Sequence, residues 1–291
     1  MCDINDVAMV EQLIDEKTKL IFTESLGNPN YAVPDFESLA KITHKAQLPL
    51  VVDATFTAGG CFCQPASRGA DIIIHSATKW ISGSGTSLGA VVIEAGQSDW
   101  QANAAKFPEL HGLRPGREGC DADLYTRLGR RAFIEFLRWD TLRDTGSCLS
   151  PFAAQQLFAG VESMSLRCAR QAANTAALAV WLRDHPRVAW VRYLGFEDHP
   201  YHQLACKYFR NGFGTVLTFG LKGGSAEGFR LMDAFKLIIN ATHVSDPKTI
   251  IGHHWSTTHK QCTPDKTAAM GVFDDLFRLS LGIEDIRDLT L

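Results

Sequence analysis

The chain has 291 residues, of which 45% are hydrophobic and 21% charged, with 24 Gly and 11 Pro. This is ordinary globular composition, enough for one large or two modest domains, and it excludes dominant disorder and collagen-like repeats. Lys and Arg number 29 against 32 Asp and Glu, a net charge of −3; with no run near the ~18 apolar residues of a membrane span, neither nucleic acid nor membrane is expected as a partner.

The opening Met1-Cys-Asp-Ile-Asn-Asp is acidic and lacks a basic-then-apolar leader, so no signal peptide is expected. Lys19–Phe22 reads as a short strand. Phe36–Lys45 reads as a helix, with Asp35 placed to cap it. Leu48–Asp53, Ala70–His75 and Leu88–Ile93 are apolar, β-branched runs. Strands apolar throughout, separated by helices or turns, predict a mostly parallel sheet covered on both faces. Residues 100–130, with Pro108, Gly112, Pro115, Gly116 and Gly119, read as a long irregular excursion. Two helical blocks follow, Phe152–Val161 and Leu166–His185, the first opened by Ser150-Pro151. Val188–Tyr193 and Gly214–Gly220 then read as strands and Ala226–Lys236 as a helix. The expected organisation is an α/β large domain over residues 1–175 and a smaller α+β domain over 176–291.

Cysteines at 2, 61, 63, 120, 148, 168, 206 and 262 are scattered. Cys61-Phe-Cys63 has one spacer and no matching second pair, so zinc is not expected, and free thiols in a reducing, cytoplasmic setting are. His243, His253, His254 and His259 also fit no standard metal spacing.

In α/β sheets ligands bind beyond the carboxyl ends of the strands. The first strand runs into Thr23-Glu-Ser-Leu-Gly-Asn28-Pro29, the second ends at Asp53, and the third runs into His75-Ser76-Ala-Thr78-Lys79-Trp80. Each alone reads equally as a cap, a turn or a solvated loop. Together, a lysine able to form a Schiff base, hydroxyls for a phosphate and a carboxylate for a ring nitrogen are what pyridoxal phosphate (PLP) needs.

The strings Glu24-Ser-Leu-Gly-Asn-Pro29, Val52-Asp53, Gly69-Ala-Asp-Ile-Ile-Ile-His-Ser-Ala-Thr-Lys-Trp80, Leu149-Ser-Pro-Phe152, His199-Pro-Tyr201, Ser256-Thr-Thr-His259 and Phe277-Arg-Leu-Ser-Leu-Gly-Ile-Glu-Asp285 run in order along the chain. They resemble the PLP-dependent enzymes of Cys/Met metabolism, the trans-sulfuration enzymes, and within them the O-acetylhomoserine sulfhydrylases. The resemblance implies the fold type I, aspartate aminotransferase-like architecture, with the large domain incomplete at its start. It implies that Lys79 carries the cofactor and acts as the base at Cα. Asp53 would pair with the pyridine nitrogen, Ser76 and Thr78 would bind the phosphate, and Asn28 the phenolic oxygen. Arg278 would clamp the substrate carboxylate; its alternative reading is a surface ion pair with Glu284 or Asp285.

The implied reaction is γ-substitution on an activated homoserine ester of the O-acetyl-L-homoserine kind, with sulfide or a thiol giving homocysteine- or methionine-type products. The partners implied are an amino-acid substrate, a small nucleophile and further copies of the chain, as a dimer of dimers, or full-length partner chains. Departures from the family pattern at His243 and Trp255 lie near the expected substrate mouth, where Ser256, which matches the pattern, would also bind substrate. The departures leave open a nucleophile other than sulfide, as in specialised metabolism. The family's Tyr-x-Arg pair and glycine phosphate loop have no counterpart here, so a catalytically weak or inactive truncated form is the alternative.

Overall fold

The computed structural model describes residues 2–102, 104–112 and 123–290. Its first sheet is built around β2 (Leu50–Asp53), whose Leu-Val-Val is buried on both faces while Asp53 emerges at its end. β1 (Ile21–Glu24) and β3 (Ile72–Ser76) flank it in parallel, and β4 (Ala90–Glu94) runs antiparallel on the far side of β3, giving the order β1-β2-β3-β4. Register places Glu24 beside Asp53, and Asp53 beside Ile74. The polar ends of β1 and β2 therefore share one edge.

The helix Phe36–Lys45 packs Phe36, Leu39 and Ala40 into a core with Leu50, Val52, Phe62 and Trp80. Asp35 sits at its N-cap position, but its carboxylate accepts from the Ser38 hydroxyl at 2.7 Å and from the Tyr208 hydroxyl, not from a helix amide.

Three expectations are corrected. The two helical blocks are one helix, Pro151–Asp184, because no Gly or Pro lies between Val161 and Leu166 to end it; Ser150 caps it through Ala153 N at 3.1 Å. The helix gives Cys168 and Ala172 to the first core and Leu178, Ala179 and Leu182 to a second. Residues 100–130 are partly helical, with turns at Ala104–Lys106, Pro108–His111 and Leu124–Leu128. Trp100, Leu110 and Leu124 cover Val51 and Ile72; Pro115, Gly116 and Gly119 lie outside the described residues. Finally, β4 is not covered: Val91, Val92 and Ile93 are 36%, 40% and 42% exposed.

The second sheet has the order β5-β6-β9-β8-β7, from β5 (Val188–Arg192), β6 (Val216–Leu221), β7 (Ile239–Asn240), β8 (Ile250–Gly252) and β9 (Phe277–Ser280). It is antiparallel except at β7–β8. The helix Gly224–Ala234 covers it, beginning and ending two residues earlier than the sequence pattern indicates. Gly228 is obligatory there: a Cβ would lie 1.7 Å from the Phe277 ring. Cys2, Cys61, Cys63, Cys148, Cys168, Cys206 and Cys262 are free thiols. Among the described residues no helix is long and apolar enough to cross a membrane.

Among the described residues nothing pairs the outer edges of β1 and β4. Open, apolar edges template association. The 291-residue chain is therefore expected to self-associate, and Val92→Lys to shift it toward monomer at a stability change within about 1 kcal/mol, since the site is exposed. Light scattering behind size exclusion reads the mass; an unchanged distribution would remove β4 as the cause.

Candidate active site

The edge where β1, β2 and β3 end carries most of the residues singled out from the sequence. Asp53 Oδ1 accepts from Thr55 N at 2.9 Å, and Thr55 Oγ1 accepts from Ser76 N at 2.9 Å, so side-chain bonds knit the ends of β2 and β3 together. Lys79 lies in the turn after β3, where its N–H donates to the Ser76 carbonyl at 3.1 Å and its carbonyl accepts from Gly83 N at 2.7 Å. The Thr78 hydroxyl is engaged with Gly89, donating to its carbonyl at 3.3 Å and accepting from its N–H at 3.0 Å. To donate to a phosphate, Thr78 would have to release that longer bond; Ser76 is half-buried and has no such commitment to Gly89. Asn28 is exposed on the loop after β1, which is held by Tyr31 N to Gly27 O at 3.0 Å and by the buried Leu26 and Tyr31.

The half-buried Lys79 amine is 2.9 Å from His243 Nδ1. Burial lowers its affinity for a proton, and the nearby positive charge of Arg278 lowers it further. Arg278 is 5% exposed on β9, and its Nη2 donates to the carbonyls of Thr242 at 2.9 Å and His243 at 3.4 Å. The surface ion pair is ruled out: Glu284 accepts from the Thr249 hydroxyl at 2.8 Å, and Asp285 pairs with Arg287 at 2.8 Å. Among the described residues no carboxylate neutralises Arg278. A buried guanidinium without a counter-ion is costly and is ready to receive an anion.

Other expected site residues are arranged differently. The Ser256 hydroxyl is bound to His253 Nδ1 at 2.8 Å, and His253 Nε2 faces the Asp274 carbonyl at 2.7 Å. Ser256 thus orients His253 instead of pointing to Lys79. Trp255 is half-buried beside His254, which is itself 5% exposed. Among the described residues no three His, Cys, Asp or Glu side chains converge as metal ligands.

The sequence pattern did not single out Arg167. From the long helix its Nη2 donates to the carbonyls of Trp80 at 2.9 Å and Gly160 at 2.7 Å, and its Nε to Ser163 Oγ at 3.1 Å. It fills the space over Gly83, where a Cβ would lie 2.0 Å from Arg167 Nη1. The lysine turn is thereby clamped to the helix. The available signal was a polar stripe at helical spacing, Arg167, Gln171, Asn174 and Thr175, all of it buried.

The residues present fit PLP in part. A desolvated amine, a strand-end carboxylate and a nearby hydroxyl are the donors that group requires. The buried Nδ1 of His75 and Nε2 of His243 have no protein partner among the described residues.

His254 tests the electrostatics of this region. Burial, with smaller contributions from Arg278, His259 and His253, pushes it down to about 3 from 6.5. Between those values the unfolded chain binds a proton that the folded chain refuses. Stability should therefore fall as pH drops from about 6.5 toward 3, and be fully present above that window. His254→Asn should flatten this acid limb by up to a few kcal/mol. Urea midpoints across the window decide; an unchanged slope would assign the limb to other groups.

A profile of Cys/Met metabolism PLP-dependent enzymes matches residues 1–291. Homocysteine synthase of Schizosaccharomyces pombe is 44% identical over 288 residues, covering 99% of this chain and 66% of that protein. Sulfhydrylase FUB7 of Fusarium oxysporum is 44% identical over 276 residues, covering 95% and 63%. A Campylobacter jejuni structure described as an O-acetylhomoserine (thiol)-lyase, holding N′-pyridoxyl-lysine-5′-monophosphate, superposes with a TM-score of 0.90 at 32% identity, over 99% of this chain and 68% of that one. The chain thus spans roughly two thirds, or slightly less, of the length of these relatives. With a match along its whole length and the fold of these structures, the chain belongs to the Cys/Met metabolism PLP-dependent enzyme family.

Proposed function

We propose that this chain supplies the lysine, the ring-nitrogen acid and the carboxylate-binding arginine of a PLP-dependent transferase. The reaction replaces the γ-substituent of an activated homoserine ester, of the O-acetyl-L-homoserine kind, with a small nucleophile. Sulfide or a thiol would give homocysteine- or methionine-type products. The observation that carries this reading is the Lys79 amine, desolvated and repelled by Arg278, at the same sheet edge as Asp53.

When bound, PLP supplies the electron sink for negative charge at the substrate Cα. Lys79 anchors the cofactor and, once released, moves the protons at Cα; its lowered proton affinity keeps more of the amine in the neutral, basic form near neutral pH. Asp53 would hold a positive charge at the ring nitrogen. Ser76 and Thr78 would donate to the phosphate, Thr78 on releasing its bond to the Gly89 carbonyl, and Asn28 would hold the phenolic oxygen. Arg278 takes the substrate α-carboxylate, which gives its buried charge a counter-ion. His243, Trp255 and Ser256 border the side from which the nucleophile enters, Ser256 acting through His253. The assembly proposed is a homo-oligomer or an association with longer chains of the same family, in the cytoplasm.

A second reading is favoured by the open edges of the first sheet. On this reading the 291-residue chain binds PLP weakly and turns over slowly unless a longer partner completes the site.

Borohydride reduction after incubation with PLP should leave a pyridoxyl group on the Lys79 peptide, and Lys79→Ala should abolish the visible absorbance of the complex. Label mainly on another lysine would sink the assignment. Asp53→Asn should reduce turnover by about 10²–10³, the usual loss for a preorganised electrostatic contact at a reacting centre; near-normal turnover would make this acid structural. Loading and turnover that appear only when a longer family member is added would select the second reading.

If Trp255 shapes nucleophile choice, Trp255→Ala should raise kcat/KM for sulfide relative to bulkier carbon or amine nucleophiles. An unchanged ratio would leave sulfide as the simplest nucleophile.

A further inference from the structure

The contact between Lys79 and His243 joins two segments far apart in the chain, the turn after β3 and the loop between β7 and β8. Three charged groups, Lys79, Arg278 and Asp246, surround the imidazole. Nδ1 faces the Lys79 amine at 2.9 Å. The guanidinium of Arg278 reaches the His243 carbonyl at 3.4 Å. Nε2 is buried and has no partner among the described residues. Over Gly85, the position a Cβ would occupy lies 3.8 Å from His243 Nε2 and 3.3 Å from Asp246 Oδ2, so imidazole and carboxylate flank the same bare glycine. Gly85 sits in the exposed stretch Ser84–Thr86 and has φ +67°, a conformation that favours glycine. The backbone of Gly85 is itself exposed on that side.

We propose that His243 is the proton-exchange partner of Lys79: it holds the lysine amine whenever that amine is free and passes protons between it and solvent over Gly85, with Asp246 steadying the imidazolium. This rests on the reading of Lys79 as the cofactor lysine. In the forward sense the Nζ–H bond breaks, the Nδ1–H bond forms, and the positive charge moves from ammonium to imidazolium. The imidazolium then loses its Nε2 proton to solvent, leaving the neutral ring with its hydrogen on Nδ1. In reverse, Nε2 takes a proton from solvent and Nδ1 returns one to the amine. Burial, Lys79 and Arg278 all disfavour the imidazolium, and Asp246 favours it. The charged ring is therefore short-lived, as a relay requires.

The test needs no cofactor and no turnover. Competitive labelling of amines with acetic anhydride across pH, read peptide by peptide, gives the proton affinity of Lys79, with the exposed lysines as internal references. His243→Ala removes the acceptor from a desolvated ammonium, so Lys79 should lose its proton more easily and label about tenfold to a hundredfold faster near pH 7.5, the range for one hydrogen bond to an ion. His243→Asn, whose amide oxygen can still accept, should restore most of the wild-type rate. Reciprocally, Lys79→Met should raise the proton affinity of His243, read by NMR titration of its ring, because a coupling between two sites acts equally on both. Unchanged labelling of Lys79 in His243→Ala, or an unchanged His243 titration in Lys79→Met, would overturn the proposal. If Lys79 does not take PLP, both titrations can still be read, so the two ideas fail separately.

Discussion

The guanidinium of Arg167 occupies the space that Gly83 leaves open and ties the carbonyl of Trp80, the residue after Lys79, to the long helix. That helix also serves the second core through Leu178, Ala179 and Leu182. One buried cation therefore couples the turn that carries the lysine to the element that carries the second sheet, where Arg278 resides. Hydrogen bonds to a charged group are worth ~1.5–3 kcal/mol each, so the bond to the buried Trp80 carbonyl is costly to break. Gly160 completes the clamp: a Cβ there would lie 2.2 Å from the Ile81 carbonyl, so the helix can approach the turn only where it has no side chain.

The clamp brings positive charge together. Arg278 lowers the proton affinity of Lys79, and it disfavours the charged forms of His243 and His254. Inside a protein such repulsions are weakly screened. Either a proton must leave or an anion must arrive. The two outcomes match the proposed roles, a lysine that acts as a base and an arginine that waits for a carboxylate. The same field makes a neutral imidazole the suitable neighbour for Lys79: it accepts the ammonium hydrogen without adding charge.

Much of the site was legible because its residues are contiguous. Asp53 ends an apolar run, and His75 to Lys79 follow the next, so the rule that ligands gather at strand carboxyl ends placed them without any tertiary information. The helix Phe36–Lys45 was equally local, a 3.6-residue apolar period with Asp35 at its start. Arg167 was not legible, because a charged residue in a helix reads as solvent-facing until the turn packed over it is known. The single helix Pro151–Asp184 reads as two in the sequence because polar residues near its middle resemble a break, whereas Ser163 accepts a hydrogen bond from Arg167 within one continuous helix.

By its residue order alone the chain determined its α/β class and the acid, hydroxyl and lysine that stand at its strand ends; each depends on neighbours a few positions apart. Only the tertiary structure decided that Arg278 has no carboxylate partner among the described residues, that Ser256 serves His253, and that Lys79 meets His243. Ser256 and His253 are only three residues apart, but no pattern in the sequence says which way a loop hydroxyl turns. Lys79 and His243 lie on segments far apart in the chain, and no local periodicity encodes a contact that forms only when the second sheet docks across the long helix.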